Sequence, residues 1–157
     1  MPRHQYKKRP VSSDPVYNSY EVAKFINYLM KDGKREVAQK IVYETLEEIR
    51  TKGEDPLKVF HKAISNVGPA QEVRPRRLGG ASYLVPTEVR RERKLYLALN
   101  WIIEAATTKS NKEFRSMKSK LLSELMDAAG NQGQAVSKRL QTEKTADANK
   151  AFAHLKW

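Results

Sequence analysis

Glu72–Val89, EVRPRRLGGASYLVPTEV, departs from the helical period that governs most of this chain. Two short runs of strand-forming residues flank Gly79-Gly80, a pair suited to a turn that needs positive φ, so the stretch reads as a β-hairpin. Two strands alone are marginal in water, and Pro75 and Pro86 each delete a ladder donor. The hairpin therefore needs a platform and a partner surface.

Working outward, the flanking sequence supplies the platform. Before the hairpin, Leu57, Phe60, Ala63, Ile64 and Val67 recur at helical spacing after Asp55-Pro56, an N-cap followed by proline at the first helical position, and Gly68-Pro69 ends that third helix. Upstream, Val37, Ala38, Ile41, Val42, Thr45, Leu46 and Ile49 form the second helix, closed by Gly53. The first runs from about Ser19 to Lys31, with Asn18-x-x-Glu21 as a capping box and Asp32-Gly33 as its break. After the hairpin, Leu95, Ala98, Leu99, Ile102 and Ala106 carry a fourth helix over roughly Arg91–Thr108. Ser110-x-x-Glu113 reads as a capping box opening a fifth through Leu121, Leu125 and Ala129 to Gly130. A sixth, with a narrow apolar face of Val136, Leu140, Ala148, Phe152 and Leu155, extends from about Gly133 to Trp157. The expected architecture is mainly α: a single domain of about six helices over residues 18–157 with one hairpin at 72–89, preceded by an extended basic arm over 1–17.

Composition narrows the function. The 157 residues carry 30 Lys+Arg against 18 Asp+Glu, a formal charge of +12, and 39% are hydrophobic, enough for a thin core. With no cysteine, disulfides, thiolate zinc sites, iron–sulfur clusters and cysteine nucleophiles are excluded. No apolar run approaches a membrane span, and MPRHQYKKRP lacks the apolar stretch of a signal peptide, so a soluble protein of a reducing compartment is expected. No HExxH, phosphate loop, nucleophile–base pair or apolar carboxylate pair occurs, so no catalytic residue, metal or cofactor is expected. His61 reads as a partly buried surface histidine, and Trp101 as core. A pI near 9.9 puts nucleic acid first among partners.

The charge is concentrated. Between Arg74 and Lys94 lie seven basic residues (Arg74, Arg76, Arg77, Arg90, Arg91, Arg93, Lys94) against Glu88 and Glu92, a local charge of +5. Arginine's planar fork suits phosphate and stacks on bases, and Gly79-Gly80 admits a sugar-phosphate chain close to backbone. The competing reading is an edge hairpin whose charges only prevent strand pairing. Arg3, Lys7, Lys8 and Arg9 give the arm the same character. Lys109, Lys112, Arg115, Lys118 and Lys120 read equally as an RNA contact and as a solvated helical face. Lys138, Arg139, Lys144, Lys150, Lys156, His154 and Trp157 decorate the last helix, where Trp157 could stack on a base or pack on the domain.

Four strings carry a resemblance: Asp14-Pro-Val-Tyr-Asn-Ser19; Asp32-Gly-Lys-Arg35 followed by Ala38, Ile41, Val42 and Tyr43; Arg76-Arg-Leu-Gly-Gly-Ala-Ser-Tyr83 with Val85-Pro86; and Asn149-Lys-Ala-Phe-Ala-His154. In this order and spacing they resemble bacterial-type small-subunit ribosomal protein seven across essentially the whole chain. That family implies a primary binder of the 3′ major domain of small-subunit rRNA that nucleates assembly of the head. By position, rRNA would be held by Arg3, Lys7, Lys8, Arg9, Tyr17, Asn18, Lys34, Arg35, Arg74, Arg76, Arg90, Arg91, Arg93, Lys94, Lys109, Arg115 and Lys118. The hairpin tip (Arg77, Leu78, Gly79, Gly80, Ala81, Ser82, Tyr83) and the last helix at Lys138, Arg139 and Lys144 would face the exit-site tRNA and the mRNA exit path. Ribosomal protein eleven is an implied neighbour, and repression of its own operon's messenger a property of some members; without a transit peptide the expected location is a bacterial cytoplasm, with an organelle that encodes its own ribosomal proteins as the alternative. The chain departs from the family's usual Val at Leu78, Arg at Asn100 and Lys at Ser137, and over Leu140–Thr145. The alternatives from other classes are an off-ribosome regulatory protein binding DNA or messenger, and a nuclease or nucleotide-modifying enzyme.

Overall fold

The computed structural model describes residues 11–155. Its elements follow the chain as α1 (Tyr20–Leu29), α2 (Arg35–Thr51), α3 (Pro56–Val67), β1 (Gln71–Leu78), β2 (Ala81–Glu88), α4 (Arg91–Thr108), α5 (Met117–Ala129) and α6 (Gln134–Ala148), then a 3₁₀ helix (Lys150–Leu155). The expected mainly helical fold with one antiparallel hairpin between the third and fourth helices is the observed one. Among the described residues no helix is long and apolar enough to cross a membrane.

The core forms where the apolar stripes of the helices converge. Phe25 of α1 and Phe60 of α3 meet with ring centroids 5.3 Å apart. Leu46 and Ile49 of α2, Leu99 and Ile102 of α4, and Leu121 and Leu125 of α5 are fully buried around them. Helix α5 packs against α2, α3, α4 and α6, which makes it the hub. Trp101 is buried in this core, as expected. Val37 is not, at 57% exposure: the buried stripe of α2 runs through Ala38, Val42, Thr45, Leu46 and Ile49, and Val37 lies about 100° around the helix from Ala38.

Several boundaries differ from the sequence reading. The cap of α1 is Ser19, whose Oγ accepts from Val22 N, while Asn18 takes a positive φ of 47°. Residues 15–17 form a turn in place of extended chain, because the buried Asp14 carboxylate accepts from the amides of Val16 and Tyr17 and from the Tyr43 hydroxyl. The Ser110-x-x-Glu113 box opens no helix. It lies in the turn following Lys109, where Ser110 Oγ accepts from Lys112 N, and α5 starts seven residues later with Ser116 capping Ser119 N. At the end of α5 the left-handed residue is Asn131 (φ 59°); Gly130 has φ −78°. The expected last helix is interrupted at Asn149, whose side chain donates to Thr145 O at the end of α6.

One buried cluster joins three of these helices. Lys109, the C-cap of α4, places Nζ 3.0 Å from Glu124 Oε2 and 2.9 Å from Asp127 Oδ2, and donates to Ser123 Oγ. Glu124 is fully buried, and its other oxygen accepts the amide of Ala135 in the first turn of α6. Burial opposes the charge on Lys109, but hydrogen bonds to Asp127 and Glu124 outweigh it and push its pKa up. Asn66 of α3 adds a second tie by donating to the carbonyls of Ala128 and Ala129 at the end of α5.

Removing one partner of a buried pair leaves the other charge without compensation. Lys109→Met should therefore lower stability by about 3 kcal/mol in urea unfolding, and Lys109→Met/Glu124→Gln should recover part of that loss. Because the folded pKa of Lys109 is raised, the pair's contribution is complete below the unfolded lysine value of about 10.4 and is lost as pH rises through the folded one. The stability gap between wild type and Lys109→Met should accordingly narrow above that pH. Burial and the bond to Asp14 likewise push Tyr43 up to about 12. Its phenolate should be the late step in an ultraviolet titration, and Tyr43→Phe should remove that step.

Candidate nucleic-acid interface

The hairpin is regular from base to tip. The register pairs Gln71 with Glu88 and Leu78 with Ala81. That leaves Gly79 and Gly80 as the two turn residues, at φ 56° and 89°. Positive φ at both central positions is a type I′ turn, whose twist matches that of the strands. The helical body carries the hairpin along much of its length: Glu143 of α6 accepts the amide of Ala70 at the base, Val85 and Pro86 are buried, and Tyr83, nearer the tip, packs on Phe152 with centroids 5.3 Å apart.

Charge is organised around Glu72. This carboxylate, only 8% exposed, takes Arg74 of β1 on one oxygen (Nη2 at 2.7 Å, Nε at 3.1 Å) and Arg93 of α4 on the other (Nη2 at 3.2 Å, Nε at 3.3 Å). One acid thus locks strand to helix and orients two guanidinium groups whose side chains stay about half exposed. Arg90 and Arg91 are exposed beside them. Lys94 is half-buried, and its stem lies where a side chain at position 68 would fall, so Gly68 makes room for it.

These cations sit where a helix disfavours them. The positive end of the macrodipole repels cations, yet α4 opens with Arg90 as N-cap, offering no side-chain cap, and Arg91 and Arg93 in the first turn. The same holds at α2, where Lys34 is an N-cap with no side-chain bond and Arg35 follows, both exposed after Asp32 and Gly33 at φ 53° and 74°. Each first turn also holds one acid, Glu92 in α4 and Glu36 in α2, and cations outnumber carboxylates at both helix starts.

Beside this patch runs a groove of about 1060 Å³ between α1, α3 and the start of α4. Its lining includes four cations from two helices (Lys24, Arg91, Arg93, Lys94), two acids (Glu21, Glu92) and the rings of Tyr20, Tyr28 and Tyr96. Lys24 lies 5.5 Å over Tyr20, and Tyr28 meets Tyr96 edge-on at 5.5 Å. Sequence reasoning missed Tyr20, Lys24, Tyr28 and Tyr96. The signal was present in α1: Tyr20, Lys24 and Tyr28 are spaced i, i+4, i+8 on one face. His61 also lines this groove and is exposed.

Residues 1–150 match the family model described as ribosomal protein S7p/S5e. The proteins named small ribosomal subunit protein uS7 from Thermoanaerobacter pseudethanolicus and Caldanaerobacter subterraneus are each 54% identical to it over the full length of both chains. That from Paramagnetospirillum magneticum is 50% identical over 99% of this chain and 98% of its own. The chain belongs to the ribosomal protein S7p/S5e family.

An S7p/S5e reading of the remaining predicted residues divides them. Arg3, Lys7, Lys8 and Arg9 lie outside the described residues, as do Lys156 and Trp157. Tyr17 is half-buried on Tyr43, its pKa pushed up first by burial and then by Glu47, while Asn18 is exposed. Arg76 stands opposite Tyr83; Arg77, Gly79, Gly80, Ala81 and Ser82 are exposed, with Leu78 half-buried. Lys109 is turned inward to Glu124 and Asp127, with 13% of its side chain exposed. Lys118 pairs with Glu48 near the end of α2, about 20 Å along that helix from Lys34 and Arg35, so these cations belong to separate patches. Arg115 and Lys144 are exposed. Lys138 pairs with Glu104 above Trp101, and Arg139 is mostly covered beside Glu143. Among the departures from the family's usual residues, Asn100 donates to Tyr96 O one turn back, and Ser137 donates to Gly133 O.

If Glu72 is the clip between β1 and α4, Glu72→Gln should speed amide exchange at the hairpin base, from Glu72 to Thr87. Exchange in α5 should be unchanged.

Proposed function

We propose that this ribosomal protein is a structural constituent of the small subunit that binds the 3′ major domain of its rRNA and nucleates assembly of the head. The observation that carries the reading is the concentration of arginines on the hairpin base and the uncapped start of α4. Protein carboxylates there are outnumbered, and only a polyanion compensates the accumulated charge. Relatives about half identical over their whole length and named as small-subunit proteins support the same conclusion.

In this reading the arm, the Gly33-Lys34-Arg35 turn, the base of the hairpin and the start of α4 hold rRNA through phosphate neutralisation and shape. The tip from Arg77 to Tyr83 and the face of α6 near Lys138–Lys144 lie toward the exit-site tRNA and the mRNA path, with ribosomal protein eleven as a neighbour. The protein works ribosome-bound in the cytoplasm, without cofactor and without catalysis. The helices are a rigid scaffold, and the RNA supplies the negative charge that the cationic faces lack.

Titration of the purified protein against the isolated 3′ major domain over a range of salt tests this, with an unrelated RNA of equal length and a DNA duplex as competitors. Tight binding that survives both competitors and falls steeply with salt is expected. Arg76→Ala/Arg77→Ala should weaken it and reduce the log-salt slope by about 1 for each phosphate that is no longer neutralised. Equal affinity for all three polyanions, or an unchanged slope in the variant, would overturn the assignment.

A further inference from the structure

The groove between α1, α3 and α4 combines features that phosphate binding alone does not require. Its cations are interleaved with three tyrosines, of which Tyr20 and Tyr96 are 43% and 40% exposed. An exposed tyrosine presents a flat apolar surface with a polar tip, the chemistry that a stacked base uses. Its volume of about 1060 Å³ is ample for one or two nucleotides, since sites for small organic ligands begin at about 300 Å³.

Arg93 is the residue around which these features assemble. Its Nε and Nη2 edge is held by Glu72 Oε2, and its guanidinium carbon lies over the Tyr96 ring, 5.2 Å from the centroid. Tyr96 is in turn braced by Tyr28. A guanidinium fixed along one edge and backed on one face by an aromatic ring has lost its rotational freedom before any ligand arrives, and 45% of the side chain remains open. Planar groups stack well on such a surface, and pre-ordering removes the entropy of freezing a long side chain on binding. Lys24, Arg91 and Lys94 line the same groove and, with Arg93, outnumber its two acids, Glu21 and Glu92, leaving net positive charge for the adjoining phosphates.

We infer that the Arg93–Tyr96 layer is a stacking platform for an unpaired nucleobase of single-stranded RNA. The α1/α3/α4 groove then reads bases splayed out of a helix, while the hairpin base follows backbone charge. This rests on the RNA-binding reading above and adds to it a site for the base itself, with Glu72 as the positioning residue for Arg93.

The test compares two RNA hexamers of equal phosphate number, one with bases and one abasic at its central positions, by fluorescence anisotropy with the full chain. Wild type should prefer the base-bearing hexamer by about tenfold, on the scale of one base–aromatic stack. Arg93→Lys keeps the charge and removes the plane, and Tyr96→Leu keeps apolar bulk and removes the ring. Each should abolish most of that preference, read as the ratio of base-bearing to abasic affinity of the same variant, so that any change in backbone binding cancels. A 2-aminopurine in the base-bearing hexamer should be quenched by wild type and by neither variant. No preference in wild type, or a preference that Arg93→Lys retains, overturns the stacking site. So does equal competition by a hexaglutamate peptide, which would mark the groove as a general anion site. Binding of the 3′ major domain is measured in parallel: if it persists while base preference is absent, only this inference fails, and if it too is absent, the RNA reading fails with it.

Discussion

The buried Lys109–Glu124 pair is the fastening on which the rest of the structure depends. It closes the end of α4 onto α5, and through Ala135 it sets the first turn of α6. Helix α6 then carries the base of the hairpin through Glu143 and Ala70, and the 3₁₀ helix after it carries Tyr83 through Phe152. A displaced carboxylate at position 124 would therefore propagate to a hairpin more than forty residues earlier in the chain. The charge is tolerable at full burial because the Lys109 ammonium lies 3.0 Å from one oxygen and the Ala135 amide donates to the other.

The same device recurs elsewhere in the fold. Where this basic chain needs internal fasteners, it uses its scarcer acids: Asp14 closes the turn before α1 onto Tyr43, Glu72 joins β1 to α4, Glu124 joins three helices, and Glu143 joins α6 to the hairpin. Acids turned inward cannot neutralise the outer face. The surface around the hairpin base and the start of α4 is consequently more positive than the net charge alone suggests. Rigid scaffold and polyanion-binding face are thus two results of one distribution of carboxylates.

Much of this was legible in the sequence. The 3.6-residue periods, the Asp55-Pro56 start of α3 and the Gly79-Gly80 turn are local chemistry, and each marks its element in place. The misplaced starts have a common cause. Asn18-x-x-Glu21 and Ser110-x-x-Glu113 satisfy a local pattern, but the backbone at Asn18 is left-handed and that after Lys109 is held in a turn by tertiary bonds. A capping motif offers a cap; the path of the chain decides whether it is used.

What the sequence determined alone was the class: a helical body, one arginine-rich hairpin, an excess of cations and no catalytic constellation, because periodicity, turn chemistry and net charge are properties of neighbouring residues and of composition. What only the tertiary structure decided was the fate of individual charges. Lys109 and Arg93 are both cations beside the ends of α4, yet one is buried on Glu124 and the other is held open over Tyr96. Glu124 lies 15 residues from Lys109, and Glu72, which holds Arg93 in place, lies 21 residues from it, at separations that no local period encodes; packing alone brings these groups within hydrogen-bonding reach.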